Sequence, residues 1–306
     1  MRKICSLVFT LTFINLSSCE DVVEVELPTT TPKLVVDGII RVDFNQEFVP
    51  VEIRFSETSN FFENNVPVTL DGSAVIFYGQ ADPDAPDFID NLFSSSLAET
   101  QTGSGVYVPD PNFSSDQRIR SAAITPDTIF YLVIAHEGQQ YTAQTLFSYA
   151  VPIDNVAQGE RTLFDEDDLE FKITITDTPQ VKNYYVFDFG EGDFLPLDDQ
   201  FIDGQEFEFS YFPDRDFIVG ESFEISILGA DQQFFNYMNL LIDQTENNGG
   251  IFETPAATVR GNVFNVTGLE NIFVFDNVAQ TDDFALGYFA VTEEYKQSIT
   301  VIESGE

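Results

Sequence analysis

The chain has 306 residues, with 52 acidic side chains against 13 basic ones, a formal net charge of −39, 43% hydrophobic residues and 32 Phe. Nucleic acid and anionic membrane surfaces repel such a body, while its aromatic content belongs to a chain with a packed core rather than to a disordered polyanion. Its two cysteines, Cys5 and Cys19, and its one histidine, His136, exclude thiolate metal sites and cysteine nucleophiles in the body, as well as zinc sites built on paired histidines.

The first stretch sets the destination. Arg2 and Lys3 precede a mostly apolar run over residues 4–16, too short to span a bilayer, and Leu16-Ser17-Ser18-Cys19 follows. This segment resembles a bacterial lipoprotein signal. The resemblance implies cleavage after Ser18, lipid on Cys19 and removal of residues 1–18. Residues 19–33, acidic at first and then rich in Pro and Thr, read as an extended tether.

From residue 34 the pattern is β. Residues 34–40 form an apolar run broken by Asp37-Gly38, which suits a doubly buried or bulged strand. Val49, Val51, Ile53 and Phe55 alternate with polar neighbours, and Pro50 suggests an edge. Further strands are expected at 74–78, 105–108, 129–135 and 141–147, with Pro/Asp/Ser-rich connections at 80–87 and 110–116. A hinge is expected at 151–154. Beyond it, alternation marks strands at 169–176, 206–211 and 223–227, while 184–189 is aromatic on both faces.

One segment has helical spacing: Phe234, Phe235, Met238, Leu241, Ile242 and Thr245, with Asp231 as N-cap and residues 247–250 as terminator. Strands return at 272–275, 286–292 and 299–302. The expected architecture is all-β with two sandwich-like domains. Residues 34–150 would form an immunoglobulin-like or transthyretin-like domain, and residues 151–306 a β-rich domain with one amphipathic helix near 231–246.

Several of these segments, in this order, resemble one family, the Bacteroidota outer-membrane lipoproteins of domain of unknown function 4249. The matching pieces are residues 34–40, 129–145, 151–154, 173–185, 234–244, 254–263 and 285–289. Acidic residues after the lipid cysteine also resemble the surface-export signal of that group. The resemblance implies an outer-membrane anchor, a cell-surface position and a TonB-dependent receptor as partner, with a non-enzymatic accessory or ligand-binding role. It supplies no catalytic residues. A surface hydrolase using carboxylates and a structural or adhesive surface protein are the alternatives.

Other candidate sites have plain structural readings beside them. Asp165-Glu166-Asp167-Asp168 offers the oxygen ligands of a calcium site, but without the alternate spacing and glycine of a calcium loop it reads as a solvated turn. No other cofactor is expected. His136, at a strand end with no nucleophile placed beside it, reads as structural. Phe61-Phe62 and Tyr211-Phe212 are candidates for an exposed binding patch.

Overall fold

Strand β1 (Leu34–Val42) alternates along its whole length: Val36, Ile40 and Val42 are buried, while Asp37, Ile39 and Arg41 face outwards. This computed structural model describes residues 31–59, 65–82, 85–163, 169–246, 259–269 and 284–303. Asp37-Gly38 makes no turn. Gly38 lies on the inner face beneath the Phe289 ring, where a Cβ would sit 3.2 Å from Cδ2, so glycine is there for room.

The first half continues with β2 (Ile53–Glu57), the short β3 (Val66–Pro67), β4 (Ala74–Asp82), β5 (Ala85–Glu99), β6 (Val106–Pro109), β7 (Thr128–His136) and β8 (Gln139–Leu146). The connection expected at 80–87 is the tip of a long β4–β5 hairpin, because its backbone continues the ladder past the Pro/Asp-rich composition, with register shifts that absorb the irregularity. The β7–β8 hairpin closes through Glu137 and Gly138, both at positive φ (49° and 71°), the two-residue geometry that matches strand twist.

The second half contains β9 (Ile153–Gln158), β10 (Phe171–Thr176), β11 (Tyr184–Asp188), β12 (Phe194–Asp198), β13 (Glu206–Tyr211), β14 (Ser222–Ala230), helix α1 (Gln232–Glu246), β15 (Val263–Asn265) and β16 (Leu286–Thr300). Asp231 Oδ1 accepts the Phe234 amide at 2.7 Å, which is the expected N-cap of α1. The terminator at 247–250 and the strand at 272–275 lie outside the described residues. The protein is thus mostly β with one α-helix in the described residues, and from Pro32 onward it forms one compact unit. Among the described residues no helix is long and apolar enough to cross a membrane.

One sheet of 13 strands runs in the order β12-β11-β14-β16-β1-β2-β6-β5-β4-β7-β8-β15, with β3 beside β2; β13-β10-β9 form a second sheet. The segments expected as separate strands at 286–292 and 299–302 belong to the single strand β16 and the residues just after it. Its first part pairs in parallel with β1 from Leu286 to Glu293, and its second pairs antiparallel with β14 from Glu294 to Thr300. Tyr288 and Ala290 pack against α1, whereas Phe289 and Val291 enter the core of the first half. That double duty explains why Tyr288 to Glu294 are all buried.

Three apolar clusters fill the molecule. The first is enclosed by the curled sheet and holds Val36, Phe55, Ile76, Phe130, Leu132 and Phe289. The second lies between the three-stranded sheet and β11-β14-β16, and holds Phe171, Ile173, Tyr185, Phe187, Phe223 and Ile225. The third lies under α1, on the other face of β11 and β14. Tyr185 and Phe187 therefore face one cluster and Val186 the other, which accounts for the strand that reads as aromatic on both faces.

The curled sheet closes by side-chain chemistry as much as by strand pairing. After β8, the Ser148 amide donates to Val291 O at 3.3 Å and the Glu293 amide donates to Ser148 O at 2.9 Å. Beside them the buried Asn262 donates from Nδ2 to Gln144 O (3.0 Å) and Phe289 O (2.7 Å), and its Oδ1 accepts the Phe289 amide at 2.9 Å. One amide side chain thus serves as a short length of strand between β8 and β16. Gly261 and Gly287 make room for it: a Cβ on either would overlap a carbonyl, Gly287 O and Val36 O respectively, and Gly287 has φ +86°.

Asn262→Ala leaves the Phe289 amide and two carbonyls without partners, so it lowers stability by about 2–3 kcal/mol. Urea unfolding of the variant against the wild type measures this, and an unchanged midpoint would show that β8 and β16 close without the side chain.

Candidate functional site

The outward face of β1 forms one wall of a groove of about 430 Å³ at the junction of the two halves, lined by Asp37, Ile39, Arg41, Glu52, Arg54, Phe194, Glu294 and Lys296 together with Pro50. Strand register places these groups. Asp37 sits opposite Arg54 across β1–β2, and Arg41 sits opposite Thr292 just before β16 changes partner. Phe194 enters from β12, the strand at one end of the same sheet path.

The groove is electrostatically mixed on a strongly acidic chain. Arg41 donates to Glu294 Oε1 at 2.9 Å and to Asp188 Oδ2 at 2.5 Å, so it ties β1 to β16 and β11. Burial opposes the Arg41 charge, but its hydrogen bonds and attraction to Asp188 and Glu294 outweigh that, and the guanidinium lies above its ordinary pKa. Arg54 pairs with Glu52 at 2.7 Å, and Lys296 with Glu224 at 3.0 Å. With Ile39, Pro50 and Phe194 as the apolar part, this lining suits a polar ligand that both donates and accepts hydrogen bonds.

A second cavity, of about 580 Å³, lies at the closure seam among Gln144, Thr145, Leu146, Asp231, Gln232, Gln233, Asn262 and Phe264. Burial raises the Asp231 carboxyl above the ordinary carboxylate range, against the amide hydrogen bonds from Phe234 and Gln233 that lower it. Its lining is rich in amides and hydroxyls rather than charge.

Two buried carboxylates illustrate opposite outcomes of burial. Glu293 accepts the Tyr295 hydroxyl at 2.7 Å and the Ala150 amide at 3.1 Å; burial still lifts its carboxyl above the ordinary range. For Glu170, burial also works upwards, but the Ser210 hydroxyl at 2.5 Å, the Arg161 amide at 3.0 Å and the Arg161 guanidinium outweigh it, and the carboxyl lies below the ordinary range.

Of the residues singled out by sequence, Cys19, Asp165, Glu166, Asp167 and Asp168, and the pair Phe61-Phe62, lie outside the described residues. Tyr211 is half-buried, stacks on Phe189 with ring centroids 3.4 Å apart and donates its hydroxyl to Asp193, so packing accounts for it. His136 is buried at the end of β7. The groove residues were not singled out by sequence. They come from β1, β2 and the residues just before it, β12 and β16, and only the alternation over 49–56 marked part of the set, Pro50, Glu52 and Arg54.

A family model described as a domain of unknown function (DUF4249) matches residues 20–298. The chain belongs to that family. Its matched span covers both halves of the fold, the groove and the closure seam. Gly261, Asn262 and Gly287 lie within it, as does Asp177, which accepts the buried Tyr185 hydroxyl at 2.6 Å. No curated protein matches the chain.

The raised pKa of Glu293 gives a pH test. Its ionisation opposes folding, so its contribution is lost as pH rises from the unfolded value of about 4.3 through the higher folded one. Urea unfolding between pH 4 and 8 is expected to show Glu293→Gln gaining stability relative to wild type as pH rises, then levelling off. A wild type that gains instead would show that the two donors hold the carboxylate ionised.

Proposed function

We propose that this family member is an outer-membrane lipoprotein, anchored through Cys19 and displayed on the outer face of the cell, which acts as a non-enzymatic accessory or ligand-binding subunit of a TonB-dependent nutrient uptake system. The observation that carries this reading is the segment Arg2 to Cys19, where a short apolar run meets a small-residue pair and a cysteine, followed by an acidic, Pro/Thr-rich stretch.

Two features of the body support the binding part of the proposal. The groove along β1 offers guanidinium, ammonium and carboxylate groups around an apolar base, the mixture that orients a polar ligand. Phe201, Ile218 and Val219 are exposed at 82%, 77% and 62%. Phe201 precedes β13 and Ile218-Val219 follow it, so these are separate sites, and the adjacent pair Ile218-Val219, open among so many carboxylates, suits the buried centre of a contact with a receptor. A lipid anchor would confine the protein to the plane of its partner and raise the effective concentration of each for the other.

Affinity purification of the tagged chain from native membranes in mild detergent, with mass spectrometry of its N-terminus and of co-purifying proteins, tests both parts. The expected result is lipidated Cys19 as the first residue together with a stoichiometric TonB-dependent receptor. A different mature N-terminus removes the anchor, and a lipidated chain recovered alone removes the accessory role.

A further inference from the structure

The only histidine of the chain is held in an arrangement that packing does not explain. The His136 side chain is 9% exposed, and neither ring nitrogen has a hydrogen-bond partner. A buried imidazole normally satisfies at least one nitrogen, since an unpaired buried polar group costs about 1–3 kcal/mol. Yet both nitrogens face carboxylates: Nδ1 lies 3.3 Å from Asp71 Oδ1, and Nε2 lies 3.7 Å from Glu57 Oε1, out of hydrogen-bond alignment. One ligand atom each from Glu57, His136 and Glu137 lies within 4.8 Å of the others.

Three separate parts of the fold build this cluster. Glu57 ends β2, His136 ends β7, and Glu137 opens the hairpin turn to β8; β6, β5 and β4 separate β2 from β7 in the sheet, and the curl brings the two ends together. Asp71 comes from the loop between β3 and β4. Gly72 lets that loop lie against β7, because a Cβ there would overlap the Ala135 carbonyl, and Asp71 Oδ1 accepts the Glu137 amide at 2.8 Å. That hydrogen bond, ahead of the smaller influence of His136, holds the Asp71 carboxyl below its ordinary range.

We propose that Glu57, His136 and Glu137 form a binding site for a divalent transition-metal ion of the zinc type, with Asp71 orienting the imidazole. An imidazole nitrogen with carboxylate oxygens is a donor set for zinc and its neighbours; calcium and magnesium take oxygen alone. Donors around tetrahedral zinc lie roughly 3.4 Å apart. The 3.7 Å between Nε2 and Glu57 is close to that, and the exposed Glu137 carboxylate has the freedom to close the remainder. Asp71 Oδ1, 3.3 Å from Nδ1, is within reach of the hydrogen bond that metal-bound histidines commonly give a carboxylate through their other nitrogen; a small ring rotation would make that bond and fix the tautomer with Nε2 free to bind the ion. The ion would fasten the ends of β2 and β7, two walls of the curled sheet that share no ladder.

His136 makes the test specific, because the imidazole resonances of a chain with one histidine need no assignment. The full chain, without an oligohistidine tag and with 15N-labelled histidine, is titrated with ZnCl2 and separately with CaCl2 at pH 7.5. The expected result is a saturable change at Nε2 with one zinc per chain and no change with calcium. Glu57→Gln and Asp71→Asn are each expected to weaken zinc binding by about 10-fold or more, while Glu208→Gln, remote from the cluster, leaves it unchanged. Zinc that binds by calorimetry without moving the imidazole resonances would place it on other carboxylates and overturn the proposal. So would affinity that is the same in the Glu57 and Asp71 variants as in the wild type.

Discussion

Strand β16 pairs with β1 through residue 293 and with β14 from residue 294, so a single continuous backbone must satisfy two ladders, three apolar clusters and the closure of the curled sheet. Because side chains alternate along a strand, a slip of one residue would exchange Tyr288 and Ala290 with Phe289 and Val291, sending each pair into the wrong cluster. The register is therefore fixed from both faces at once. Pairing between β1 and β16 also joins the first and last described strands of the body. That contact closes the longest loop in the molecule and cannot form until most of the chain is available.

Around this strand, polar groups bond the chain where it crosses from the first half to the second. Where β16 leaves β1, the Thr292 hydroxyl reaches Gly229 O at 2.5 Å and Glu293 receives the Ala150 amide, so the chain passing from β8 to β9 is bonded to the strand it crosses. The stretch expected as a hinge at 151–154 is correspondingly bound at both ends: Ala150 to Glu293 before it, and the start of β9 at Ile153 within it. Arg41 adds a link from β1 to β11 and β16. A hinge needs a narrow crossing with few bonds. Here the halves share a strand, a bonded connection and an ion-pair cluster, and a groove built on that junction has its width set by the sheet.

Much of the secondary structure was legible from residue pattern. Leu169, Phe171, Ile173 and Ile175 alternate because one face of β10 meets the second cluster, and Asp231 caps α1 because a carboxylate three residues before Phe234 reaches its amide. Other features depended on partners distant in sequence. Gly38 reads as a turn until Phe289 is placed above it. The Pro/Asp-rich 80–87 stretch reads as a loop because composition reports neither the length nor the bulges of a hairpin. Val186 lies between Tyr185 and Phe187, and nothing local says that the two faces serve different clusters. His136 is the sharpest case. A lone histidine carries no spacing signal, and its neighbours come from positions 57, 71 and 137, of which only the last is near in the chain.

Gly261, Asn262 and Gly287 each have a steric or hydrogen-bonding reason that belongs to closing the sheet on β16. Asp177, with the Tyr185 hydroxyl and the Gly204 amide at 2.6 and 2.9 Å, does similar work in the second half. Groups of this kind build a scaffold, and a scaffold hosts many functions. The outward polar residues of β1, β2 and β16 lie off the apolar clusters: Arg41, Arg54 and Lys296 bring three of the 13 basic side chains together with Asp37 in one groove of a chain with net charge −39. All three are already paired, Arg41 to Asp188 and Glu294, Arg54 to Glu52 and Lys296 to Glu224, so the groove meets solvent with its charges held in place by neighbours from both halves of the fold, and the scaffold itself sets which of its donors and acceptors face outwards.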